Sequence, residues 1–177
     1  MHWSAAAYSA QFPMAPLGGL FVAFMGLFVL AGSFSRKARM TLTYIGFGAG
    51  TLALILGARL AAGLPGPTSI QIGALVLAIV LEITAFVVVI PRARPRGERA
   101  VIVASLGIVG AHFVIMLPAF GSLVAVLGVL CAINAAIAWK RPSYSEGAAW
   151  FADGVLKLAF GAMLIATSPL VYSRLSH

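Results

Sequence analysis

Six apolar stretches, at residues 16–34, 41–62, 69–90, 100–117, 121–139 and 148–171, divide the chain so completely that only short connections remain. Each is close to the ~20 residues that carry a helix across a bilayer. A water-soluble fold is excluded on the same ground. With 62% hydrophobic and 9% charged residues and a mean hydropathy of +1.05, the 177 residues cannot cover a core with polar surface. The sequence predicts an all-α, polytopic membrane protein with six transmembrane helices in one domain, residues 1–177. Residues 1–15 carry no Lys or Arg ahead of the first apolar run. A cleaved secretory leader begins with positive charge, so this run is expected to be retained as the first helix.

Orientation follows from the basic residues, which resist translocation and collect in short cytoplasmic loops. Arg36, Lys37 and Arg39 fall in the first loop, Arg92, Arg94, Arg96 and Arg99 around the third, and Lys140 and Arg141 in the fifth. These are nine of the twelve Lys and Arg residues, whereas the connections 63–68 and 118–121 hold none. Both termini are therefore expected outside, in a multi-pass protein of a cell (inner) membrane. The net charge of +8 reads as this topology signal plus attraction to anionic lipid, with no nucleic-acid partner.

A short signature recurs at near-constant spacing. Gly57-Ala58, Gly110-Ala111 and Gly161-Ala162 are each followed, seven residues after the Ala, by Pro65, Pro118 and Pro169. A fixed period marks a duplicated unit, here a two-helix hairpin in three tandem copies at about 16–62, 69–118 and 121–171. Gly19, Val22, Ala23 and Gly26 match Gly121, Val124, Ala125 and Gly128, and Gly50 matches Gly154. Small residues let helices approach closely where no hydrophobic force drives association, and proline ends a helix. The signature is thus expected to be scaffold: packing seams, with a proline capping each rising helix.

Polar residues inside the spans depart from this background. An ionisable side chain at the bilayer centre costs at least ~2.5–3.5 kcal/mol on insertion scales. At ~1.5 Å per helical residue, Asn134 and Asp153 fall ~8–9 Å from the cytoplasmic surface, Glu82 and Lys157 ~12–15 Å, and His112 ~18 Å. Asp153 and Lys157 are four apart, acid first, the favoured direction for a helical ion pair. Two readings follow. Glu82, Asn134, Asp153 and Lys157 line a path for a small polar solute, or they form a neutralising cluster that fixes helix packing. His112 is either a pH gate or a donor to a nearby carbonyl. Arg59 belongs to an outer polar site or is a snorkelling anchor at a helix end.

Catalysis finds little support, and an intramembrane enzyme is left as a minor alternative. His-x-x-x-His, paired-Cys and aspartate-rich spacings are absent, and Cys131 stands alone, so neither a metal nor a cofactor is expected. Ser105 precedes His112 by two turns, too far for a nucleophile–base hydrogen bond.

In length, spans and three-hairpin plan the chain resembles the acid-activated urea channels and short-chain amide transporters, six-helix proteins that assemble as hexamers. The runs Leu17-Gly18-Gly19-Leu20-Phe21-Val22 and Gly26-Leu27-Phe28-Val29-Leu30 are similar to that family's opening helix, and Gly128-Val129-Leu130 to the start of its fifth-helix motif. Asp153-Gly154-Val155-Leu156 stands where the family has a Glu-Gly-Ile-Leu-type step. The resemblance implies a homo-oligomeric channel or transporter for urea, a short amide or a small acid, with Asp153 as pore carboxylate. It does not extend to the family's pore tryptophans, because Cys131 follows Leu130 and Trp139 lies at the cytoplasmic end. A second resemblance joins Gly50-x-Leu-x-Leu-x-x-Gly57 and Gly154-x-Leu-x-Leu-x-x-Gly161 to the HdeD-type acid-resistance membrane proteins, and implies a non-transport role in membrane stress.

Overall fold

The computed structural model describes residues 4–175, and their secondary structure is all helix joined by short connections, without strands. Six helices are long and apolar enough to cross a membrane: α2 (Ala15–Ser33), α3 (Arg39–Leu56, continued by a 3₁₀ turn Gly57–Ala61), α4 (Ser69–Ala93), α5 (Glu98–Ile115), α7 (Ser122–Lys140) and α8 (Glu146–Ile165). Three shorter helices, α1 (Ala5–Gln11), α6 (Leu117–Phe120) and α9 (Pro169–Leu175), lie together at one end.

Local chemistry sets where the helices begin. Ser4 and Ser145 accept from the backbone two or three residues into α1 and α8, and Thr68 with Gln71 forms a reciprocal capping box at α4. Gly97 and Gly121, the residues just before α5 and α7, have φ of +97° and +84°, a region that glycine alone enters freely.

The helix ends differ from expectation in two places. The last span stops at Ile165 rather than 171, because the chain turns at Thr167 and Ser168 and Pro169 opens α9. The signature prolines do not cap the rising helices. Pro118 lies in the first turn of α6 after α5 has ended at Ile115, and proline is tolerated there because its missing N–H would be unpaired anyway. Pro91, by contrast, is carried within α4 near its end.

The spans neighbour one another in the order α3, α2, α8, α7, α5, α4. The closest approach is α2 against α8, where glycine makes backbone meet backbone. A Cβ on Gly154 would lie 2.6 Å from the Leu30 amide nitrogen, one on Gly161 2.6 Å from that of Ala23, and one on Gly26 2.7 Å from that of Leu158. In the α5–α7 contact, a Cβ on Gly110 would lie 2.7 Å from the Ala132 amide nitrogen and one on Gly128 2.7 Å from the Gly110 carbonyl oxygen. Gly57 instead meets only side chains, those of Leu20 and Leu17. Among the described residues α3 and α4 make no comparable contact with each other, and both leave most of their apolar surface uncovered.

Polar ties close each end of the bundle. At the basic end Arg36 pairs with Glu98, and Arg39 Nη1 lies 3.2 Å from Glu146 Oε2. There Arg99 also donates to the carbonyls of Ala138, Arg141 and Tyr144, at 2.6, 3.0 and 2.9 Å. At the opposite end Tyr8 Oη donates to the Phe120 carbonyl (2.7 Å), Gln71 Nε2 to that of Gln11 (2.8 Å) and Ser168 Oγ to that of Leu60 (2.6 Å). The loops that carry the basic residues thus share one end.

Candidate functional site

Helix α8 brings Asp153 and Lys157 onto one face, one turn apart, and they form an ion pair with side chains 1% and 3% exposed. Sealing such a pair from water is tolerable because each charge neutralises the other without a remote partner. Two further side chains bound it. The Cys131 thiol of α7 lies beside Asp153, and the Phe113 ring of α5 has its centroid 5.9 Å from Lys157 Nζ. Among the described residues Asp153 Oδ1 has no hydrogen-bond partner.

The residue before Phe113 leads to the second pair. His112 Nδ1 stands 3.1 Å from the Ala78 carbonyl oxygen and 3.3 Å from Glu82 Oε2, both one turn apart on α4. Both neighbours are acceptors, so Nδ1 is a nitrogen that carries a proton in this arrangement. Glu82 is also within electrostatic reach of Lys157. The four ionisable groups therefore run across the bundle as two acid–base pairs, Asp153–Lys157 and Glu82–His112.

The pairs differ in access. Glu82 keeps a quarter of its side chain exposed and, with His112, lines a cavity of ≈ 300 Å³ between α4 and α5. Ala85, Ala104, Gly107 and Ala111 form much of the remaining wall, and Asp153 and Lys157 do not reach it. Small side chains on both helices leave the space, since α4 and α5 lack the glycine interlock of the tighter pairs.

Of the residues singled out from sequence, Glu82, Asp153 and Lys157 are brought near one another, and His112 joins them. Asn134 stands apart. Its Nδ2 donates to the Ala149 carbonyl (2.8 Å), and its Oδ1 accepts from Tyr144 Oη (2.9 Å), which fastens the α7–α8 connection. Arg59 is exposed in the 3₁₀ turn after α3, away from the cluster. Arg39, read from sequence only as a topology charge, is 4% exposed, donates to Gly32 and lies 5.5 Å from the Trp150 ring centroid. Its spacing from Glu146 and Trp150 in sequence gives no sign of that contact. No group of three metal-ligating side chains occurs among the described residues.

Fold and site together define a polytopic membrane protein whose helices enclose two acid–base pairs. The chain belongs to DUF6609, a family of unknown function, whose model matches residues 6–173. No curated protein and no solved structure matches it.

Proposed function

We propose that the protein passes a small polar solute, such as urea, a short amide or a small acid, across a cell (inner) membrane, and that it does so as a non-catalytic channel or transporter. The observation that carries this reading is the pairing of Glu82 with His112 at membrane depth, beside a cavity and within electrostatic reach of the Asp153–Lys157 pair. Charged groups are expensive in hydrocarbon, so ionisable residues within a span point to function by default. Histidine is the side-chain type whose unperturbed charge change falls nearest neutral pH, and the presence of one in this pair supports modulation by pH.

The gathering of the basic loops at one end supports an orientation with that end in the cytoplasm and both termini outside. The proposed architecture is three hairpin copies. The uncovered apolar faces of α3 and α4 supply surface for lipid and for further copies in a homo-oligomer.

One observation favours a second reading, a membrane-structural or stress-resistance role. Asp153 and Lys157 are sealed, and Asn134 is bonded at both ends of its amide, as packing devices would be. Proteoliposome swelling separates the two. Transport requires wild-type protein to speed the flux of urea, acetamide or lactate above that of empty vesicles, and flux equal to empty vesicles for every solute tested rejects it.

A further inference from the structure

The cavity at Glu82 has a specific chemistry. Its lining comes from the middle of α4, residues 81–85, and from α5 at residues 104–112, so it lies along two apolar helices rather than in a loop. Leu81 and Ala111 at the mouth are exposed, and Ile108 lies against the interior. Ligands reach such an opening from the apolar phase.

Charge selects among them. Asp153 and Lys157 pair with one another, whereas the ion-pair partner of Glu82 among the described residues is His112, charged only when protonated, with Lys157 within electrostatic reach. Glu82 Oε2 faces the His112 ring, and a quarter of the Glu82 side chain stays exposed in the groove. A carboxylate offers acceptors and no donor, and it bonds most strongly to a donor that is cationic. The ≈ 300 Å³ volume sits at the bottom of the about 300–1,000 Å³ range of small-molecule sites, which suits one ring or a short chain.

We propose that this groove binds a small lipid-soluble amine in its ammonium form, the nitrogen on Glu82 and the apolar body along Leu81, Ile108 and Ala111. The inference goes beyond the transport reading, whose solutes are neutral or acidic, and because binding is measured without a gradient it stands or falls separately from flux.

The test is calorimetric titration of the full chain in phosphatidylcholine nanodiscs, with empty nanodiscs as the blank. The probes are 2-phenylethylamine, its neutral analogue 2-phenylethanol and the anion phenylacetate. Saturable binding of the amine alone is expected. Glu82→Gln should weaken it at least tenfold, and so should Ala111→Phe, which fills the mouth from an exposed position without altering any charge. The second variant keeps the test decisive should Glu82→Gln fail to fold. Absence of saturable amine binding, equal binding of 2-phenylethanol or phenylacetate, or undiminished amine binding by folded Ala111→Phe would overturn the proposal. Loss of flux with amine binding intact would reject transport and leave this site standing.

Discussion

His112 on α5 holds Glu82 and the Ala78 carbonyl of α4 through a single nitrogen, Nδ1, at 3.3 and 3.1 Å. That contact is a polar link between two helices that otherwise line the groove with apolar residues, and it orients both the ring and the carboxylate.

The two residues should therefore behave as one unit. In a double-mutant cycle with Glu82→Gln and His112→Gln, the coupling energy is expected in the range of about 0.5–3 kcal/mol that contacting groups show. Reversible unfolding in mixed micelles measures it, and additive losses would mean that the pair is not formed.

Asp153 and Lys157 should show the asymmetry of a sealed ion pair. Lys157→Met alone strands a buried carboxylate and is expected to cost about 3–5 kcal/mol, whereas Asp153→Asn with Lys157→Met together should recover most of that loss. Thermal melting of the three proteins reads the difference directly. A double variant no more stable than Lys157→Met would show that the pair is not self-contained.

Glycine substitutions should divide by position. Gly154→Ala pushes a methyl against the Leu30 backbone, 2.6 Å away, and is expected to cost about 1–3 kcal/mol by forcing α2 from α8. A Cβ on Gly48 of α3 meets nothing within 4 Å, so Gly48→Ala should be neutral or stabilising by up to about 1 kcal/mol. Melting temperatures of the two variants check the contrast.

Tyr8 gives the end of the bundle a pH dependence. Burial pushes its phenol above the ordinary 10.0, while hydrogen bonds from the Leu123 amide and with Ser122 act against that. The folded state thus holds the proton more tightly than the unfolded chain. The stability is complete below pH 10 and is lost as pH rises through the raised value. Tyr8→Phe should melt earlier than wild type at pH 8, because the bond to the Phe120 carbonyl is gone, and should lose less than wild type between pH 8 and pH 11.

The six spans were legible because a bilayer imposes a length and an apolar composition that few other structures need. The Asp153–Lys157 pair was legible for a local reason, the spacing of one helical turn. The partnership of Glu82 and His112 was not, since it joins different helices and depends on how α4 and α5 pack. Depth alone grouped Asn134 with the charged residues. Its partners, Tyr144 and Ala149, lie across the α7–α8 connection, a contact that depth along the helix does not encode. Helices α1, α6 and α9 escaped because four to seven residues give periodicity too little room. Signature positions with one spacing also met different surroundings: Gly110 and Gly161 press on backbone, Gly57 on leucine side chains.

Stopped-flow swelling of proteoliposomes in gradients of urea, acetamide and lactate tests the role of the acid–base pairs most directly, with wild type compared against Glu82→Gln and against Asp153→Asn/Lys157→Met. Predicted is wild-type flux above empty vesicles for at least one solute, with that flux abolished or sharply reduced in both folded variants. Flux no greater than that of empty vesicles, or wild-type flux in both variants, would contradict a transport role for the two pairs.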